Sequence, residues 1–139
     1  MKITVKEALD LKKSIDKIRS LHPTMNVAVG FPLSHNFLKL IEICRPYEEQ
    51  LHGLYEKYGE DEIKKDDQGE AVLGEDGQPE KTGNIVVKQE NLEQFDKELQ
   101  VLLEIEVNVN LMRVKSEKFA GMDLLYQIID GLLPILQEG

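Results

Sequence analysis

Apolar residues recur at spacings of three and four over two long stretches, Phe37, Leu40, Cys44, Tyr47, Leu51, Leu54 and Tyr58 in the first and Leu92, Phe95, Leu99 and Leu102 in the second. Such spacing keeps them on one stripe of a helix, and a helix with one apolar stripe must be covered by another element. The pattern therefore predicts two helical arms packed as an antiparallel hairpin.

Other stretches predict the remaining elements. Thr4 followed by Glu7 forms a capping-box pattern, and Ala8, Leu11, Ile15 and Ile18 then repeat at helical spacing, so a first helix is expected over residues 5–21. His22-Pro23-Thr24 breaks it. Val27 and Val29 alternate with Asn26 and Ala28, which suits a short strand ended by Gly30 and Pro32. Ser34 is the expected N-cap of the long helix, which reaches Tyr58 and stops at Gly59, with a kink or a break near Pro46. Ile85-Val86-Val87 reads as extended, and a helix follows from about residue 90 to 104. Ile105, Val107, Val109 and Leu111 alternate with Glu106, Asn108 and Asn110, the period of a half-buried strand, with 26–30 or 84–88 as its expected pairing partner. Residues 122–133 predict a last helix, apolar nearly all round, that Pro134 ends or bends. The fold class is thus mainly α within α+β: a helical hairpin, a small antiparallel sheet and an apolar C-terminal helix.

With 139 residues the chain is expected to form one domain, residues 1–139. Its net charge of −9 is uneven. Residues 60–81 hold nine acidic and three basic side chains, with turn signals at Asp67-Gln68-Gly69 and Asp76-Gly77, and read as an acidic, flexible insert. Residues 1–21 have the opposite balance, six basic against three acidic, a face open to solvent, to an acidic partner or to the protein's own acidic segment. The overall acidity argues against direct nucleic-acid binding, which needs clustered Lys and Arg. No uninterrupted apolar run has the length of a membrane span and the first residues lack a signal-peptide pattern, so a cytoplasmic location and no membrane partner are expected.

Candidate chemistry is sparse. Cys44 lies on the heptad stripe and is expected to be a core thiol. His22, His35 and His52 are too scattered for a metal site, and neither acidic turn supplies the ligand pattern of a calcium loop. Glu48 and Glu49, or Glu104 and Glu106, are neighbours in sequence that do not converge as an acid and a base must. No enzyme activity, metal or cofactor is expected. Tyr47, Tyr55, Arg45 and Lys39 are the residues available to hold a small nucleotide.

Several segments are distinctive together: Phe31-x-Leu33-x-x-Asn36 leading into a long helix, Tyr47-Glu48-Glu49 within it, Lys57-Tyr58-Gly59-Glu60, and the acidic, Gly-containing insert. Glu90-Asn91-x-x-x-Phe95-x-Lys97-Glu98-Leu99 and Glu104-x-Glu106-Val107 follow. Over residues 27–110 this resembles a family of small uncharacterised proteins of tailed bacteriophages and prophages. The resemblance implies a phage gene product acting in the cytoplasm of an infected bacterium, and it carries no catalytic signature.

Three readings follow. The first is a non-enzymatic inhibitor of a host defence or housekeeping protein, with Asp66, Asp67, Glu70, Glu75 and Asp76 as the partner-binding residues. The second is a virion structural or assembly protein that forms a homo-oligomer through Met122, Leu125, Ile129 and Leu132. The third is sequestration of a small nucleotide signal.

Overall fold

Why each element forms can be followed from Thr4 onward in the computed structural model, which describes residues 1–137. Among these the elements run β1 (Lys2–Thr4), α1 (Val5–Leu21), α2 (Val27–Tyr58), β2 (Gly59–Ile63), β3 (Lys81–Val87), α3 (Leu92–Leu103), β4 (Glu106–Asn108), β5 (Val114–Lys115), α4 (Tyr126–Leu132) and β6 (Leu136–Gln137). They group into two compact units, Met1–Glu48 with Leu102–Gly139, and Glu49–Val101. The boundary falls inside α2 and inside α3.

In the first unit the expected capping box is present. The Thr4 hydroxyl accepts from the Glu7 N–H and the Glu7 carboxylate accepts from the Thr4 N–H, both at 3.1 Å. α1 then buries Ala8, Leu11, Ile15 and Ile18 on one stripe, each Leu or Ile contributing about 1.5–3 kcal/mol of hydrophobic stabilisation. α1 packs against α4. The core is completed by Val29, Leu33, Leu40 and Cys44 from α2, by Val109, Leu111, Val114 and Phe119, and by Ile128, Leu132 and Ile135.

Several expectations are corrected here. Residues 26–30 are not a strand: α2 begins at Val27, and its N-cap is Asn26 rather than Ser34. The Asn26 side-chain oxygen accepts from the Ala28 N–H at 2.8 Å, and its carbonyl accepts from Val29 and Gly30. The four-residue alternation was too short to outweigh the helical stripe Val29, Leu33, Asn36, Leu40 and Cys44. α2 is one helix through both Pro32 and Pro46; each proline removes one donor, so the carbonyls of Ala28 and Glu42 lack their usual partner.

The alternating strand also pairs elsewhere. β4 runs antiparallel to β1, in register Lys2 with Asn108, Ile3 with Val107 and Thr4 with Glu106. Val109 N–H donating to Met1 and Val5 N–H donating to Ile105 extend the ladder at either end. Beyond β4 the burial still alternates, with Val109 and Leu111 inside. A third contact, between β5 and β6, is parallel.

The C-terminal helix is shorter than expected. α4 covers seven residues, because Leu125 is extended and Leu133–Ile135 tightens into a 3-10 turn that accommodates Pro134. By length and composition α2 is long and apolar enough to cross a bilayer. No unbroken apolar run signals this in the sequence, since its apolar residues are spaced along the helix, and five positions of its stripe are buried within this fold.

The second unit joins the end of α2 to α3 through aromatic contacts. Tyr55 and Tyr58 face Phe95 at ring-centroid distances of 5.1 and 6.4 Å, and Lys57 pairs with Glu98 at 3.4 Å. The Tyr58 hydroxyl, then Lys57, hold the Glu98 carboxyl below its ordinary range; Tyr58, then Glu98, raise Lys57. Gly59 passes directly from α2 into β2, which pairs antiparallel with β3.

Candidate functional site

Residues 60–81, which offer little beyond turn signals in sequence, have a repeated backbone arrangement. The Lys64 N–H donates to the Glu80 carbonyl, the Glu80 N–H to the Val72 carbonyl and the Val72 N–H to the Lys64 carbonyl, all within 2.8–2.9 Å. The three junction residues are eight apart. They close a ring from which the β2–β3 ladder leaves on one side, and two short hairpins, bridged at Lys65–Ala71 and Leu73–Pro79, leave on the others.

Each hairpin is turned by an aspartate and a glycine. Asp66 Oδ1 accepts from the N–H groups of Gln68 and Glu70 at 2.9 and 3.0 Å, and Asp76 Oδ1 accepts from Gln78 at 3.0 Å. Gly69 and Gly77 have φ of 80° and 76°, the left-handed region that a side chain disfavours. The five expected partner-binding acids thus divide by role. Asp66 and Asp76 shape the turns, while Asp67, Glu70 and Glu75 have exposed carboxylates with no ion pair or hydrogen bond among the described residues. Two other acids of the ribbon are neutralised locally, Asp61 by Lys81 at 2.9 Å and Glu80 by Lys64 at 3.9 Å.

Charge follows the division into units. Residues 49–101 carry six basic and fifteen acidic side chains, so this unit holds a net −9, while the remainder of the chain balances at eleven of each. Sequence reading located the acidic stretch but missed this segregation, because the unit boundary depends on contacts between residues far apart in sequence.

The four residues expected to form an oligomer contact are not equivalent. Leu132 is 1% exposed and belongs to the core. Met122 is partly buried and packs against that core, Ile129 is half-buried, and only Leu125, 65% exposed, faces outward. The exposed apolar side chains near α4 that the expected set omits are Tyr126, at 85%, and Leu133, at 59%. A helix over 122–133 would place residues differently around its axis, so the shorter α4 accounts for the mismatch.

Cys44 is in the core of the first unit. Burial, reinforced by the Glu48 carboxylate and opposed by Lys12, pushes its thiol up to about 11 from an ordinary 9.0. Glu48 and Lys12 are themselves an ion pair. Because the folded state holds the proton more tightly than the unfolded chain, the contribution of this thiol to stability is complete below pH 9 and falls as the pH rises from 9 toward 11. Native protein at pH 8 is therefore expected to resist iodoacetamide and to be alkylated stoichiometrically in guanidinium, as read by intact mass; rapid alkylation without denaturant would contradict the burial.

The residues that could hold a nucleotide do not converge. Lys39, Arg45, Tyr47 and Tyr55 are spread over seventeen residues of α2, about 24 Å of helix, and Tyr55 is occupied against Phe95. His52 contacts Glu56 at 3.0 Å, and His35 stacks on Phe31. Among the described residues no cluster of three or more His, Cys, Asp or Glu could hold a metal ion. Comparison with protein-family models, curated proteins and solved structures finds no match to this chain.

Proposed function

We propose that this is a non-enzymatic, phage-encoded binding protein that inhibits a host defence or housekeeping protein in the cytoplasm of an infected bacterium, engaging a basic surface of that target through its acidic unit. The observation that carries this reading is the confinement of the whole net charge to residues 49–101, with Asp67, Glu70 and Glu75 free at the hairpin tips. In this reading the paired arms of α2 and α3 hold the ribbon, and two turns at fixed spacing present carboxylates without the entropy cost of ordering a loose acidic tail on binding. The phage origin rests on the resemblance carried by Lys57-Tyr58-Gly59-Glu60 and the Glu90–Leu99 helix. Attraction between opposite charges in water is screened by salt, with a Debye length of about 10 Å at 0.1 M.

The test is affinity capture of the tagged protein from phage-infected lysate at low and high salt, with a variant carrying Asp66→Asn, Asp67→Asn, Glu70→Gln, Glu75→Gln and Asp76→Asn alongside. Asn keeps the side-chain oxygen that accepts the turn hydrogen bonds, so the variant changes charge with the turns retained. A stoichiometric host protein released by salt and lost in the variant is the expected result. Equal capture by the variant would refute the acidic contact. The exposed Leu125, Tyr126 and Leu133 favour a second reading, a virion assembly role as a homo-oligomer. Recovery of the chain alone, or of a virion component, as a salt-resistant complex would support it instead.

A further inference from the structure

Between α1 and α4 in the first unit lies a groove of about 910 Å³. One wall is the α1 face bearing Lys6, Asp10, Lys13 and Lys17; the other comes from Leu125 to Pro134. Leu21, Leu125 and Leu133 line it and are each more than half exposed. The charges in it are not equally available. Asp10 is bound to Lys6 at 3.1 Å, and the Glu7 carboxylate is committed to the cap of α1. That leaves Lys13 and Lys17, one turn apart and without ion-pair partners among the described residues, opposite Asp130.

The geometry points to a docking site for an acidic amphipathic α-helix of a partner protein, with two or three apolar anchors seated among Leu21, Leu125 and Leu133 and carboxylates beside Lys13 and Lys17. The lining comes from α1, from α4 with the extended Leu125 before it and from the 3-10 turn at Leu133–Ile135, and none of it belongs to a strand, so the groove offers no strand edge to which an extended peptide could pair. A helix satisfies its own backbone and brings only side chains. The charge preference is opposite to that of the acidic unit, so this site is independent of the contact proposed above and extends the protein to two partners or to two regions of one.

The test uses the full chain and a fluorescent 18-residue helix-forming peptide with Leu at i, i+3, i+4 and i+7 and Glu on the flanking positions, together with a twin in which Lys replaces Glu. Fluorescence anisotropy should show the Glu peptide binding at least tenfold tighter than its twin. In the Lys13→Glu, Lys17→Glu variant that order should reverse. Leu125→Ser with Leu133→Ser should weaken both peptides, with circular dichroism unchanged. The five-acid variant of residues 66–76 should bind the Glu peptide as the parent does, which separates failure of this site from failure of the acidic contact. Absence of binding, equal affinity for both peptides or no effect of charge reversal would overturn the proposal. So would light scattering that shows a dimer dissolved by the two Leu substitutions, since a second copy would then occupy the groove.

Discussion

Gly131→Ala is expected to destabilise the protein by about 2–3 kcal/mol, lowering the midpoint of thermal unfolding by roughly 6–12 °C. The sign is the informative part, because alanine at an open helical position stabilises relative to glycine by about 1 kcal/mol. Gly131 lies in α4 where that helix crosses α1. A Cβ there would lie 2.9 Å from the Asp10 carbonyl oxygen, 3.0 Å from Ser14 Cβ and nearer still to Ser14 Oγ. Asp10 contributes backbone of α1, which cannot swing aside as a long side chain can, so the two helices must separate and loosen the packing of Ile15 and Leu132. Removing the hydroxyl with Ser14→Ala should recover part of the loss in the double variant, since the closest contact goes and the carbonyl contact remains. A melting temperature at or above that of the parent would mean that α1 and α4 do not approach as described.

The second large effect is at Asn36, which is fully buried. Its side-chain amide donates to the Met112 carbonyl at 2.8 Å and its oxygen accepts from the Met112 N–H at 2.7 Å, so one side chain satisfies both backbone groups of a residue 76 positions away. Asn36→Ala removes both partners and leaves a void, with an expected cost of about 2–4 kcal/mol. Asn36→Asp separates the two bonds. An ionised carboxylate keeps the acceptor but sets an oxygen against the Met112 carbonyl, whereas a protonated one can donate to it. Burial and this contact raise the carboxyl's pKa in the folded state, so the stability of the Asp variant relative to the parent should improve as the pH falls through that raised value. Denaturant unfolding between pH 4 and 8 reads this directly. A pH-independent difference between Asn36→Asp and the parent would show that the Met112 clamp is not the source of the effect.

These two positions also mark how far the sequence could be read. α1 is fully legible, since its capping box, its spacing and the break after it are all local. Much of α2 is legible too, and Asn36 stands out only as part of the stripe Leu33, Asn36 and Leu40; a polar residue on an apolar stripe asks for a buried partner, but nothing local identifies Met112. Long-range pairing is where reading fails. β4 shows its period-two pattern clearly, yet its partner is the three-residue β1, which in sequence is hidden in the approach to a helix cap. The C-terminal segment misleads for a related reason: its unbroken apolar character fits a helix of any length, so the extended Leu125 and the 3-10 turn at Pro134 decide which residues face outward. The acidic candidate site was visible as composition, while the ring of hydrogen bonds joining Lys64, Val72 and Glu80 depends on an eight-residue spacing that no single turn reveals.

The most direct measurement on the central claim is hydrogen exchange by mass spectrometry on the captured complex compared with the free chain. A contact through the acidic unit predicts protection in peptides covering residues 59–87, diminished as salt is raised, with peptides from 126–137 unchanged. Protection confined to 126–137 and insensitive to salt, with residues 59–87 exchanging as in the free chain, would contradict it.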